Sequence, residues 1–174
     1  MTSARRQERP SRERRSAAPP QADPIADAVR FLAHGDRSEG QVERRLTDRG
    51  YPAKVVRTAL MTLRRFGYVN DDAVALRVAQ ARLTRHPMGR EALTAELKAR
   101  EFSDETVTRA VGAAFAGTTE QAVAESFLMS LPPRYTDLSR ESRRRAGLLR
   151  GRGFSADVIE TVLGSKVHDE NAQR

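Results

Sequence analysis

Three stretches of this chain follow one pattern. They are RRLTDRGYPAKVVRTAL at 44–60, AELKAREFSDETVTRAV at 95–111 and GLLRGRGFSADVIETVL at 147–163. Leu46, Leu97 and Leu149 correspond, as do Arg49, Arg100 and Arg152. Gly50, Glu101 and Gly153 take the next place, followed by the aromatic Tyr51, Phe102 and Phe154. The spacing is 51 residues and then 52. A period of this size marks an array of supersecondary modules rather than one globular core.

Each copy reads as a helix–corner–helix. Gly50 and Gly153 suit the left-handed conformation that ends a helix. Pro52, Ser103 and Ser155 suit the start of the next one. Val55, Val56, Ala59, Leu60 and Leu63, with Phe66, repeat at the spacing of an apolar helical stripe. Glu101 stands where the other copies have glycine, so its corner must close differently or hold a less comfortable backbone.

Two further helical stretches precede each corner. They are predicted near 24–34 and 38–49, near 71–86 and 89–100, and near 119–131 and 139–152. Ser38, and Asn70 or Asp71, are the expected caps. The fold class is therefore all-α: an elongated, curved rod of three three-helix units, about nine helices. Their bounds are 24–68, 69–117 and 118–164, with stacking between units burying the faces. Residues 1–23 are Arg, Ser, Pro and Ala with little to bury, and disorder is expected there. A frayed end is expected over 165–174.

The chain offers little for catalysis. It has no cysteine, no phosphate-cradling glycine loop and no nucleophile elbow. His34 and His86 fall at helix ends, where a cation suits the dipole, and neither has a metal-ligand companion at helical spacing. No enzyme activity, cofactor or metal is expected. The first residues lack the apolar stretch of a secretory signal, and no apolar run would span a bilayer. A cytoplasmic monomer with no membrane partner is expected.

The basic residues carry more information. The net charge is +8. Residues 1–23 contribute +3 (six basic, three acidic), residues 24–163 contribute +5 (23 basic, 18 acidic), and the last eleven are neutral. Such a balance favours polyanions or acidic protein surfaces. Lys54, Arg57, Arg64 and Arg65, with Met61 among them, form one stripe at helical spacing. In the later units the basic residues lie elsewhere: Arg82, Arg85, Arg90, Lys98 and Arg100, then Arg143, Arg144, Arg145, Arg150 and Arg152. This is not a row of three recognition helices. It is a basic surface spread along the array.

The stretch DRSEGQVERRLTDRGYPAKVVRTALMTLRRFGYVNDDAVALRVAQARL resembles the RecX family, regulators of the bacterial recombinase RecA. The resemblance rests on Arg37, Ser38, Gln41, Val42, Arg45, Leu46, Arg49, Gly50 and Tyr51. It continues through Leu63, Gly67, Tyr68, Val69, Asn70 and Asp71, then Gly89, Leu93, Leu97 and Arg100. It covers residues 25 to 163. Val74 stands where the family usually has an aromatic, and Glu101 where it usually has glycine. The resemblance implies tandem three-helix units in an elongated crescent. It also implies binding in the groove of the RecA–single-stranded DNA filament, with inhibition of strand exchange, ATP hydrolysis and co-protease action. The alternative is direct binding of single- or double-stranded DNA by Lys54, Arg57, Arg64, Arg65 and the basic head.

Overall fold

The computed structural model describes residues 23–171, with side chains described to residue 164. Among these residues the chain forms nine α-helices and no strand: α1 (Pro24–Leu32), α2 (Glu39–Asp48), α3 (Ala53–Arg65), α4 (Asp71–Arg85), α5 (Arg90–Ala99), α6 (Asp104–Ala114), α7 (Glu120–Met129), α8 (Leu138–Gly151) and α9 (Ala156–Asn171). The chain at 165–171 continues as helix. Residues 1–22, within the expected disordered head, and 172–174 lie outside the described residues.

Side-chain oxygens set most of the helix starts. Asp23, Ser38, Asn70, Ser103, Thr119 and Asp137 each accept a backbone N–H in the first turn of α1, α2, α4, α6, α7 and α8. Ser38 and Gln41 form a full capping box. Pro52 precedes α3 as its N-cap rather than its first helical residue, and supplies no side-chain bond.

The helices pack in threes, and each triplet has its own buried cluster. The first is built on Ala28, Val42, Leu46, Val56, Ala59, Leu60, Leu63 and Val69. The second centres on Ala75, Leu93, Leu97, Phe102, Val107 and Phe115, the third on Phe127, Leu128, Leu149, Phe154 and Val162. Among the described residues, only Val123 packs against two of them. The apolar faces therefore close within triplets, and little apolar surface remains to be buried between them. That differs from the expected stacking of apolar faces, because the buried residues of each triplet cluster with one another.

Two members of the expected α3 stripe lie outside the core. Val55 is 37% exposed and Phe66 68% exposed. Val56, Ala59, Leu60 and Leu63 fill the inward face, which leaves Val55 at its edge. Phe66 caps the helix, and Gly67 at φ 72° then turns the chain away.

The corners close as the sequence indicates. Tyr51 and Phe154 donate their N–H to the carbonyls of Leu46 and Leu149 across glycines at φ 83° and 70°. Glu101 holds the same left-handed region at φ 62°, a conformation that costs an L-residue about 1–2 kcal/mol. Its carboxylate pairs with Arg44 of the first triplet, which ties the strained residue into the joint described next.

Candidate interaction surface

The two joints between triplets share one construction. At the first, the start of α2 sits on the second corner. The buried Ser38 hydroxyl donates to the Arg100 carbonyl at 2.5 Å. The Glu39 N–H donates to Asp71, the first residue of α4, at 2.8 Å. Gly40 lies so near that a Cβ would stand 2.5 Å from the Glu101 oxygen. At the second joint, the start of α5 sits on the third corner. Gly89 donates its N–H to the Arg152 carbonyl at 2.9 Å. The Arg90 N–H donates to Glu120, the first residue of α7, at 3.1 Å. A Cβ on Gly89 would overlap the Gly153 carbonyl. In both joints a helix start donates to acceptors of the next triplet, through the Ser38 hydroxyl and Glu39 amide at the first and the Gly89 and Arg90 amides at the second.

These joints explain the ionisation of Asp71. Burial raises its pKa, and the N–H of Glu39 offsets that only in part. The third triplet has a comparable internal tie. Glu141 is buried and accepts from Arg144 and Arg145 and from the amides of Arg134 and Tyr135. Burial pushes its carboxyl up, but Arg145, the two amides and the charge of Arg144 outweigh this and hold it at about 2.

Many of the sequence-selected arginines prove to have internal partners. Arg64 binds Glu39, and Arg82 binds Glu96 at 2.5 Å. Arg90 lies 3.8 Å from Glu120 and over the ring of Phe115. Lys98 pairs with Asp104 at the surface, and Arg100 lies 4.0 Å from Glu96. Arg152 donates to the Pro87 carbonyl at 3.1 Å and stacks on Phe127. Arg144 and Arg145 hold Glu141. A cleft of about 600 Å³ opens at the second joint, lined by Arg82, His86, Met88, Leu148 and Arg152.

The remaining cations are exposed and have no ion-pair partner among the described residues. They are Lys54, Arg57 and Arg65 on α3, Arg85 at the end of α4, and Arg143 and Arg150 on α8. Each triplet thus presents at least one. Beside those on α3 stand the exposed Met61, Phe66 and Tyr68, with Arg65 6.0 Å from the Phe66 ring. Aromatic residues and arginine together are the side chains that dominate binding interfaces.

The comparisons with known proteins agree with this architecture. The family described as "RecX, first three-helix domain" matches residues 25–61, the segment from α1 into α3. Regulatory protein RecX of Mycobacterium tuberculosis (strain H37Rv) is 28% identical over 152 residues, covering 84% of this chain and 87% of that protein. Its counterpart in Mycobacterium avium (strain 104) is 29% identical over 149 residues, covering 84% and 86%. The chain is similar to these RecX proteins over most of its length. The crystal structure of RecX from Lactobacillus salivarius superposes with a TM-score of 0.71 at 17% identity, over 82% of this chain and 93% of that one. Another crystal structure, of a regulatory protein RecX, gives 0.65 at 21% identity, over 81% and 73%. The all-helical tandem fold of the RecX family is thus the fold of this chain. Its relatives bear the name of regulatory proteins, not of enzymes. No helix among the described residues is long and apolar enough to cross a membrane.

Sequence reasoning found the corners but missed the joints and a second basic cluster, Arg30, Arg37, Arg45 and Arg49, at the first triplet. A signal for that cluster was present. Arg45 and Arg49 stand at i and i+4 on α2 and its cap, a like-charge spacing that disfavours a helix unless something anionic lies between them.

Proposed function

We propose that this chain is a cytoplasmic regulator that lies along the RecA–single-stranded DNA filament and inhibits its recombinase, ATPase and co-protease activities. The observation that carries the reading is the repeated joint. Three separately cored triplets are held in series by like joints, each with a helix start donating to the carbonyl of the next corner, so cations without an ion-pair partner among the described residues recur at intervals along the chain. A surface that repeats suits a partner that repeats. Arginine suits the carboxylates and phosphates such a filament offers, through paired N–H donors. Lys54, Arg57, Arg65, Arg85, Arg143 and Arg150 are the residues assigned to contact. Of the other selected basic residues, Arg64, Arg82, Arg144, Arg145 and Arg152 are assigned to holding the fold. Arg90 and Arg100 belong to the joints and Lys98 to a surface pair.

Co-sedimentation with a recombinase–DNA filament, beside naked DNA at matched salt, tests this. The chain is expected to pellet with the filament and to lower its ATP hydrolysis. Charge reversal of Arg85 together with Arg57 should weaken both without altering the melting temperature. Tight, salt-steep binding to naked DNA with none to the filament would instead favour the direct DNA-binding reading. There log K falls by roughly 0.7 to 0.9 per phosphate contacted for each log unit of salt.

A further inference from the structure

Of the three corners, the first alone has no helix N-terminus seated on it among the described residues. The start of α2 occupies the second corner and the start of α5 occupies the third. Arg49 is therefore left without the cross-joint role that Arg152 has toward Pro87. It lies instead at a cavity of about 450 Å³ beside the end of α1, with Asp27, Arg30, Phe31, His34, Arg37 and Arg45.

Four guanidinium groups and one carboxylate line this cavity, an excess of three positive charges (four minus one, His34 taken as neutral). Asp27 is already engaged. Tyr51 donates to it at 2.8 Å and Arg30 at 2.5 Å, and Arg49 lies 3.8 Å away. These bonds, the phenol first, hold its carboxyl below the ordinary range, so it stays ionised and cannot neutralise further cations. Arg37 and Arg45 have no carboxylate partner among the described residues. Their guanidinium carbons lie 4.8 and 5.7 Å from the centre of the Phe31 ring. The Arg37 Nε is closed to solvent and has no acceptor. A buried donor left unpaired costs about 1–3 kcal/mol, so the arrangement is incomplete as it stands.

Nor do the carbonyls at the end of α1 supply the missing acceptors. Those of Val29, Phe31 and Leu32 take the N–H groups of Ala33, His34 and Gly35. That of Arg30 takes the Nδ1 proton of His34 at 2.6 Å, since a carbonyl can only accept. The unspent polar groups of the cavity are thus guanidinium N–H donors, fixed by stacking on an aromatic ring. Planar, forked donors with no acceptor of their own match the tetrahedral oxygens of phosphate.

We propose that this cavity binds a phosphate group, either of a nucleic-acid backbone or of a small phosphorylated molecule. The proposal does not rest on filament binding. ³¹P NMR titration of the full chain with inorganic phosphate, at fixed ionic strength, tests it. Saturable binding is expected, weakened roughly tenfold or more in Arg45→Met and in Arg37→Met. If Arg37→Met fails to fold, Arg45→Met, whose side chain is exposed, decides the matter. No saturable binding by the native chain, or equal binding by Arg45→Met, overturns the proposal. An oligothymidylate lacking a terminal phosphate distinguishes the sources. A salt slope lowered by about one in Arg45→Met assigns the site to backbone phosphate, and an unchanged slope assigns it to a small molecule.

Discussion

Gly89→Ala should destabilise this protein, although its backbone conformation alone would accept alanine. Gly89 has φ −75° and ψ 166°, an extended conformation any residue adopts. In that conformation alanine would add about 0.4–1 kcal/mol by narrowing the unfolded ensemble, but Gly89 is the N-cap of α5, where alanine is disfavoured relative to glycine by a similar amount, so the local effects roughly cancel. The cost comes from the joint, where the added methyl would overlap the Gly153 carbonyl and press on the Phe154 backbone. Both are backbone atoms of a buried corner and cannot swing aside. Opening the seam gives up three hydrogen bonds: Gly89 N–H to Arg152, Arg152 to Pro87, and Arg90 N–H to Glu120. At about 1 kcal/mol each the loss is near 3 kcal/mol. That lowers the melting temperature by roughly 6–12 °C in a chain of this size. Hydrogen exchange should show lost protection at residues 87–93 and 149–156 while the first triplet is unchanged. Gly112→Ala is the control. It lies within α6 with nothing near its Cβ position, and should stabilise by about 0.5–1 kcal/mol. A Gly89→Ala protein melting at or above the native temperature would refute the close-packed joint.

Two further outcomes follow from ionisation. The folded Glu141 carboxyl, at about 2, lies below its ordinary 4.5, so its contribution is present above pH 4.5 and is lost as the pH falls toward 2. Glu141→Gln should melt lower than the native chain at pH 7, and denaturant titrations should show the difference shrinking across that acid window. Asp71 has the opposite sign: its folded pKa is raised, chiefly by burial, so its ionised form opposes folding once the pH exceeds that value. Asp71→Asn keeps an acceptor for the Glu39 N–H. It should raise the melting temperature at pH 7, by an amount that fades as the pH enters the carboxylate range.

The helices, their caps and the three corners follow from short-range sequence alone. Ser38, Asn70 and Ser103 cap through bonds only three residues long, and Gly50 and Gly153 take left-handed backbone because nothing else does so at low cost. Such features are local, and local chemistry is written in order along the chain. Even the strain at Glu101 could be foreseen from its place in the pattern. What the tertiary structure alone decided was how the triplets meet and which arginines are spent. Ser38 reaches Arg100 across 62 residues, and Arg152 reaches Pro87 across 65. Arg64 and Arg57 look alike on one helical stripe, yet Arg64 is taken by Glu39 from another helix. An ion pair or a seam depends on where two distant backbones come to lie, and periodicity in one segment carries no record of the other segment's position.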